Sequence, residues 1–220
     1  MSTERFFRLP REKQNAIKQA AFREFAAQPL ELVSINRIVK DADISRGSFY
    51  TYFEDKWDLL NYLLESYQRT IEREAQKSLK ETGGDVWEMF RDIFQMILDH
   101  CQDLQVRDFI GHILVNENPE SALKLFPCVE ESEKNANMER KLRAFYEAYK
   151  EEKFRKMPFS RFQNFMQLAM LSVLYELSRY AGGAEEQCVI EEFREKMSIL
   201  RSGVAVIGEV CPKSEGQDGR

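Results

Sequence analysis

The chain has 220 residues, 43% of them hydrophobic and 31% charged, with only 10 Gly and 6 Pro. That length supports a sizeable core in one large or two modest domains, and the composition excludes a disordered or fibrous chain. The net charge of -5 is unevenly placed: residues 1–53 carry nine Lys/Arg against six Asp/Glu, and residues 54–220 carry 23 against 31. A basic head on an acidic body points to a polyanionic partner for the head alone.

Apolar runs such as 168–177 are interrupted well short of the roughly 20 residues a bilayer span needs, so no transmembrane helix is expected. The first ten residues hold no apolar stretch leading to a small-residue cleavage site, so no secretory signal is read and the expected compartment is the cytoplasm. Cys101, Cys128, Cys188 and Cys211 are widely spaced without a C-x-x-C, which fits idle thiols rather than a disulfide framework or a zinc ribbon.

Residues 11–27 place Ile17, Ala20, Ala21, Phe22 and Phe25 at helical spacing, and Pro29 stops the run. Ser34 is read as the N-cap of a short second helix with Ile35, Ile38 and Val39 facing inward. It ends near 41–43, where Asp43 makes the turn. Ser45 is expected to cap a third short helix through Tyr52, and Asp55 a fourth, with Asp58 favoured by the positive end of its first turn. The fourth carries Leu60, Leu63, Leu64, Tyr67, Ile71 and Leu79 on one stripe and is predicted to run about 25 residues, to the break at Gly83-Gly84, linking head and body.

Further helices are predicted over 85–103 and 106–115, then over 138–153, 160–180 and 185–210, divided by Pro158 and by Gly182-Gly183. Residues 116–137, with Pro119, Pro127 and a charged cluster, read as loops around a short helical segment, and the end of the chain, 211–220, as a disordered tail. The fold class is therefore all-α, about nine helices in two parts, with no strand.

The segment 34–53, SINRIVKDADISRGSFYTYF, has two short helices, a tight turn and a polar, small-residue start to the second helix, the pattern of a helix-turn-helix. Arg46, Ser48 and Thr51 are side chains suited to base edges in a major groove, Arg46 to guanine. Gly47 keeps the backbone slim, and Tyr50 has the reach to donate to a phosphate. Lys56 adds positive charge beside the exposed N–H groups of the fourth helix, a combination suited to phosphate, and Ser34 and Ser45 stand at similar helix starts.

Catalytic patterns are absent from the sequence. His100 and His112 are the only histidines, and neither a G-x-S-x-G nor a phosphate-binding loop occurs. Ile97 and Phe109 stand where a di-iron bundle would need Glu, three residues before each His. Asp108 and His112 share a helical face, but such a spacing is more often a satisfied polar pair than a metal site. No enzyme, metal or cofactor is expected.

Ile17, Ala20, Ala21 and Phe25, then Ser34, Ile38, Ala42, Ile44 and Ser45, then GSFYTYF-x-x-K-x-x-L, resemble the N-terminal domain of the tetracycline-repressor (TetR) family over residues 13–64. The resemblance implies a DNA-binding head, residues 1–56, on a helical effector-binding and dimerisation body, residues 57–210. Pro29 and Asp43 stand where the family has Gly, Val39 where Ala is common, and Glu24 where an apolar residue is usual. The implied function is a homodimeric regulator, a repressor above an activator, that reads a near-palindromic double-stranded operator and is released by a small-molecule effector, with no membrane partner.

Aromatic and Met side chains in the body are the candidates for an apolar or aromatic effector: Phe90, Phe94, Phe109, Phe145, Tyr149, Phe165, Met166 and Tyr175, with His112 beside them. The last two long helices carry apolar stripes, Phe162, Ala169, Val173 and Leu177, then Phe193, Met197, Leu200 and Val204, expected to form a four-helix dimer interface. The competing expectation is a helical small-molecule-binding protein or adaptor that does not bind DNA.

Overall fold

The computed structural model describes residues 3–115, 136–148 and 157–202. Among them are ten α-helices, one 3-10 turn and no strand. Tyr149 and Val204, most of the segment 116–137 and the tail 211–220 lie outside the described residues.

α1, Glu4–Phe7, was not foreseen in the sequence. It is held by the side chain of Phe6, fully buried with its ring 4.9 Å from those of Phe53 and Tyr62. α2, Arg11–Ala27, buries the expected Ile17, Ala20, Ala21 and Phe25. Pro29 ends the run and leads into the 3-10 turn Leu30–Leu32. α3, Ile35–Asp41, and α4, Arg46–Tyr52, follow; Ile38 and Phe49 are fully buried, with α3 packed on α2 and α4 on α3 and α1.

α5, Lys56–Glu81, starts where Asp55 accepts the Asp58 N–H at 2.8 Å, the expected cap. It stops before Gly83 and Gly84, whose φ of 66° and 88° a side chain would oppose. α6, Val86–His100, is capped by Asp85, which accepts from the backbone N–H groups of Trp87 and Glu88. α7, Leu104–Val115, α8, Ala136–Ala148, α9, Phe159–Ala181, and α10, Glu186–Ser202, complete the body.

α2 lies on α7, so the head is seated directly on the body, and α7 lies in turn on α9. Gly111 allows the second approach: a Cβ there would stand 3.2 Å from the Ala181 Cβ. α9 and α10 are joined by a buried polar network. Glu176, fully buried, pairs with Lys196 and, at 2.8 Å, with Arg179, and both cations also reach Glu192. Such a network is costly to bury, but once paired it fixes the register of the two helices.

The expected cap at the start of α3 is corrected. Ser34 makes no side-chain cap; its backbone N–H donates instead to Glu24 Oε1 at 2.8 Å. Glu24, only 8% exposed, also receives the Arg37 guanidinium at 2.8 and 2.9 Å. The apolar pattern of α2 is thus broken by a carboxylate that ties this helix to the start of α3 through the Ser34 N–H and the Arg37 guanidinium. This hydrogen bond also holds the Arg37 guanidinium above its ordinary pKa.

Glu24→Ala is expected to lower stability by about 1–3 kcal/mol, the range for stranding a buried donor. Arg37→Ala should cost less, because that side chain is 54% exposed. Urea denaturation of the two variants checks the order.

Candidate nucleic-acid interface

The turn between α3 and α4 is built on Asp43, whose φ of 50° is left-handed. Its short polar side chain tolerates that backbone better than most residues. The Ile44 N–H donates to the Val39 carbonyl at 3.0 Å and closes the turn. Ser45 then caps α4 as expected: its Oγ accepts the Ser48 N–H at 3.0 Å. Phe49, fully buried, sets the rotation of α4 and leaves Arg46, Gly47, Tyr50 and Thr51 exposed together, with Ser48 half-buried beside them.

Arg46 is held rather than free. It donates to Asn36 Oδ1 on α3 at 3.1 Å and to the Tyr50 hydroxyl at 3.3 Å, with its guanidinium 5.8 Å from the Tyr50 ring centre. Asn36 was not singled out in the sequence, because nothing in the spacing marks which residue of α3 faces α4. A Cβ on Gly47 would meet nothing nearer than Ser45 Oγ at 3.8 Å, so packing within the chain does not call for glycine there.

Lys56 has a different setting from the one expected. Its ammonium donates to the carbonyls of Glu31 at 2.7 Å and Val33 at 3.4 Å, tying the start of α5 to the segment before α3. Thr51 Oγ1 donates to the Ser48 carbonyl at 2.6 Å, and the Thr51 carbonyl accepts from Thr3 Oγ1 at 2.7 Å. The N-terminal segment therefore clasps the end of α4. It sets Arg5 and Arg8 around one shallow concavity with Tyr50 and Thr51, although Arg8 is paired with Glu4 at 3.0 Å. The pair Phe6-Phe7 flanked by Arg5 and Arg8 was the available signal: Phe6 buries and the cations stay out.

Residues 17–63 match the sequence model of bacterial regulatory proteins of the tetR family, and residues 85–204 match that of the tetracyclin repressor-like C-terminal domain. The chain belongs to the tetracycline-repressor family. Among curated relatives, an uncharacterized HTH-type transcriptional regulator of Bacillus subtilis, YuxN, is 28% identical over 119 residues, 52% of this chain and 40% of that protein. The chain thus spans less than half the length of this curated relative.

Among solved structures, the fatty acid degradation regulator FadR of Bacillus halodurans is 18% identical with a TM-score of 0.60, over 87% of this chain and 99% of that one. FadR of Thermus thermophilus, a repressor solved with lauroyl-CoA, is 20% identical with a TM-score of 0.56, over 90% and 98%. These likenesses show that the TetR fold extends over head and body.

In this TetR-family chain the residues suggested for an effector do not gather in one place. Phe90, Phe94 and Met166 are buried in the body core, with Phe94 stacked on Phe193 at 4.1 Å. Phe165 is half-buried against Trp87 and Phe90, and Phe145 lies half-buried at the edge of the core. Tyr175 is 56% exposed beneath Lys196, a surface position and not a pocket wall. His112 Nδ1 lies 3.1 Å from the Phe25 carbonyl, a polar link between α7 and α2 rather than the expected pairing with Asp108.

Of the described members of that set, only Phe109 lines a cavity of about 790 Å³ between head and body, bounded by α2, α5 and the α6–α7 corner. Tyr67 also lines it, and its hydroxyl is buried with no hydrogen-bond partner. Burial, with Cys101 nearby, pushes the Tyr67 phenol well above its ordinary pKa. Burial likewise pushes the Cys101 thiol up, to about 11.

The stripes expected at a dimer interface are corrected as well. Phe162, Ala169, Val173, Leu177, Phe193 and Met197 are all buried inside the single chain, where α9 and α10 pack on each other and on the rest of the body. Leu200 is half-buried against the same core. The apolar surface left exposed on α9 and α10 is Leu168, Leu171, Tyr175 and Ile199. Periodicity finds a helix's apolar face, and here that face is used within the protomer.

Asp43→Ala should destabilise the TetR-type head, since alanine loses the polar compensation for a left-handed backbone, whereas Asp43→Gly should be neutral or stabilising. A difference of about 1–2 kcal/mol between the two is expected in thermal unfolding.

Proposed function

We propose that the protein is a homodimeric transcriptional repressor of the cytoplasm, a binding protein and not an enzyme, that reads a near-palindromic duplex operator and leaves it when a small molecule binds the body. The observation that carries this reading is the exposed polar face of α4, with Arg46 already oriented by Asn36 and Tyr50 and with a glycine that the chain's own packing does not require. A guanidinium fixed before contact loses less freedom on pairing with guanine, and a glycine lets the helix backbone approach the groove floor. Ser45, Ser48, Thr51 and Tyr50 supply the surrounding hydroxyls, and Ser34 and Lys56, which meet through the Val33 carbonyl that Lys56 reaches, complete the proposed DNA-facing set.

Lys56 acts in this scheme chiefly by bracing α5 against the segment before α3, because two of its donors already serve backbone carbonyls. Arg5 and Arg8 extend the cationic border past Thr51. Two heads place their α4 helices about 34–36 Å apart to enter successive major grooves. A ligand preferring the non-operator form a hundredfold shifts the balance by about 2.7 kcal/mol per site.

The second copy is held through the exposed Leu168, Leu171 and Tyr175 of α9, spaced on one helical face, with Ile199 of α10. Leu171→Glu is expected to give a monomer in analytical ultracentrifugation while leaving thermal stability little changed, since this side chain is 45% exposed in the single chain. A dimer that survives Leu171→Glu together with Leu168→Glu would place the interface elsewhere.

Selection of bound duplexes from a random library is the direct test. A two-fold-symmetric winner is expected, and its affinity should fall with salt with a log-log slope near about -7, the value for roughly eight phosphates. Absence of enrichment would refute the reading. Arg46→Ala should remove about 1–3 kcal/mol of discrimination at one base pair of each half-site, whereas Arg5→Ala should weaken all sequences alike and reduce the slope by about one.

A further inference from the structure

We propose that the cavity between head and body is the regulatory ligand site, and that its ligand is an uncharged, largely apolar small molecule bearing one hydrogen-bonding group. The inference rests on the reading of the chain as a ligand-responsive DNA-binding protein and assigns that ligand a place and a chemistry. At about 790 Å³ the cavity falls in the size range of small-molecule sites, roughly 300–1,000 Å³. Its apolar wall comes from Phe22 on α2, Leu63 on α5, and Val106, Phe109 and Ile110 on α7. The rings of Phe22 and Phe109 lie 5.0 Å apart, so head and body meet in this wall.

The charged residues of the lining oppose one another. Lys18 and Arg23 on α2 face Asp99 and Asp103 at the α6–α7 corner. Most of these charges are already engaged: Arg23 lies 4.0 Å from Asp41, Asp99 accepts from Gln95, and Asp103 caps the start of α7 through the Gln105 N–H. No single sign of charge is left to select an ion, and an ion entering between apolar walls would lose its hydration without a partner.

The polar demand of the site is instead that of Tyr67, a lining residue whose buried hydroxyl has no partner. A change in the χ1 of Tyr67 would swing that hydroxyl to a ligand's hydrogen-bonding group and relieve an unpaired buried donor. Ser66, the residue before Tyr67, and Thr70, about one turn further on, also line the cavity and offer hydroxyls to the same ligand.

The position explains how binding reaches DNA. The cavity wall is shared by α2, which carries the helix-turn-helix, and by α7, which His112 links to the end of α2 through the Phe25 carbonyl. A molecule wedged between them favours a different seating of the head, and its differential affinity for the two seatings is the regulatory signal.

A matched pair of fluorescent probes tests the site on the full chain: N-phenyl-1-naphthylamine, uncharged with one N–H, and 1-anilinonaphthalene-8-sulfonate, the same ring system with a negative charge. The neutral probe is expected to bind at least tenfold more tightly than the sulfonate. Ser66→Trp and Val106→Trp, which fill the cavity from facing helices, should each weaken it at least tenfold, and Tyr67→Phe should weaken it severalfold. In the unsubstituted protein, hydrogen exchange should slow in α5 and α7 when the neutral probe is added, a readout that does not depend on any variant folding. Preference for the sulfonate, or protection elsewhere in the chain, would overturn the assignment. Anisotropy of the selected duplex in the same samples separates the two readings. A chain that binds the neutral probe in the cavity but no duplex refutes the regulator, whereas duplex binding that ignores a saturating probe refutes the regulatory role of the cavity.

Discussion

α5 is the constraint on which the rest of the molecule depends. Leu59, Leu60 and Tyr62 at its start are buried in the head, and Ile71, Ala75 and Leu79 near its end are buried in the body. Its 26 residues form one unbroken rod of about 39 Å. The rod alone would let the head swing about its first turn. The contact of α2 with α7 is the second point of attachment that makes head and body one object with a defined seating. The cavity lies between these two attachments, where a small displacement has the longest lever to α4.

The head shows how a local rule can be broken and repaired elsewhere. A carboxylate on the buried face of α2 contradicts the apolar periodicity of that helix, and a serine that fails to cap its own helix contradicts the usual N-cap. The two departures meet in one interaction, in which Glu24 accepts the backbone N–H of Ser34 itself. Arg37, half in solvent, supplies the countercharge, and the bracing of Lys56 on Glu31 and Val33 holds the same corner from the other side. The position of α3, and through Asn36 the orientation of Arg46, follows from this polar corner as much as from the buried Ile38 and Phe49.

Most of the element boundaries were legible in the sequence because the signals were short-range. Pro29, Asp43, Ser45, Asp55 and Gly83-Gly84 each act on the backbone within a turn of their own position, and the helices begin and end beside them. The exposed residues of α4 were legible for the same reason: once Phe49 is inside, the others are turned outward. Long-range pairings were not. No spacing reveals that Glu24 serves Ser34, that Phe6 plugs the head from the N-terminus, or that Lys56 points back to Glu31 instead of outward.

The apolar stripes of α9 and α10 mark the boundary of sequence reasoning most clearly. A helical stripe states that one face avoids water and says nothing about which surface covers it. Phe162, Val173 and Phe193 are covered by their own chain, and the ion pairs of Glu176 with Lys196 and of Arg179 with Glu192 close the seam between the two helices. That closure has a consequence for assembly. With α9 and α10 already locked into one layer, the proposed second copy would meet a preformed surface of Leu168, Leu171, Tyr175 and Ile199 rather than two loose helices. In the proposed dimer a rigid layer of that kind would transmit a change in the body's shape to the partner instead of absorbing it, the property that two coupled DNA-reading heads would require.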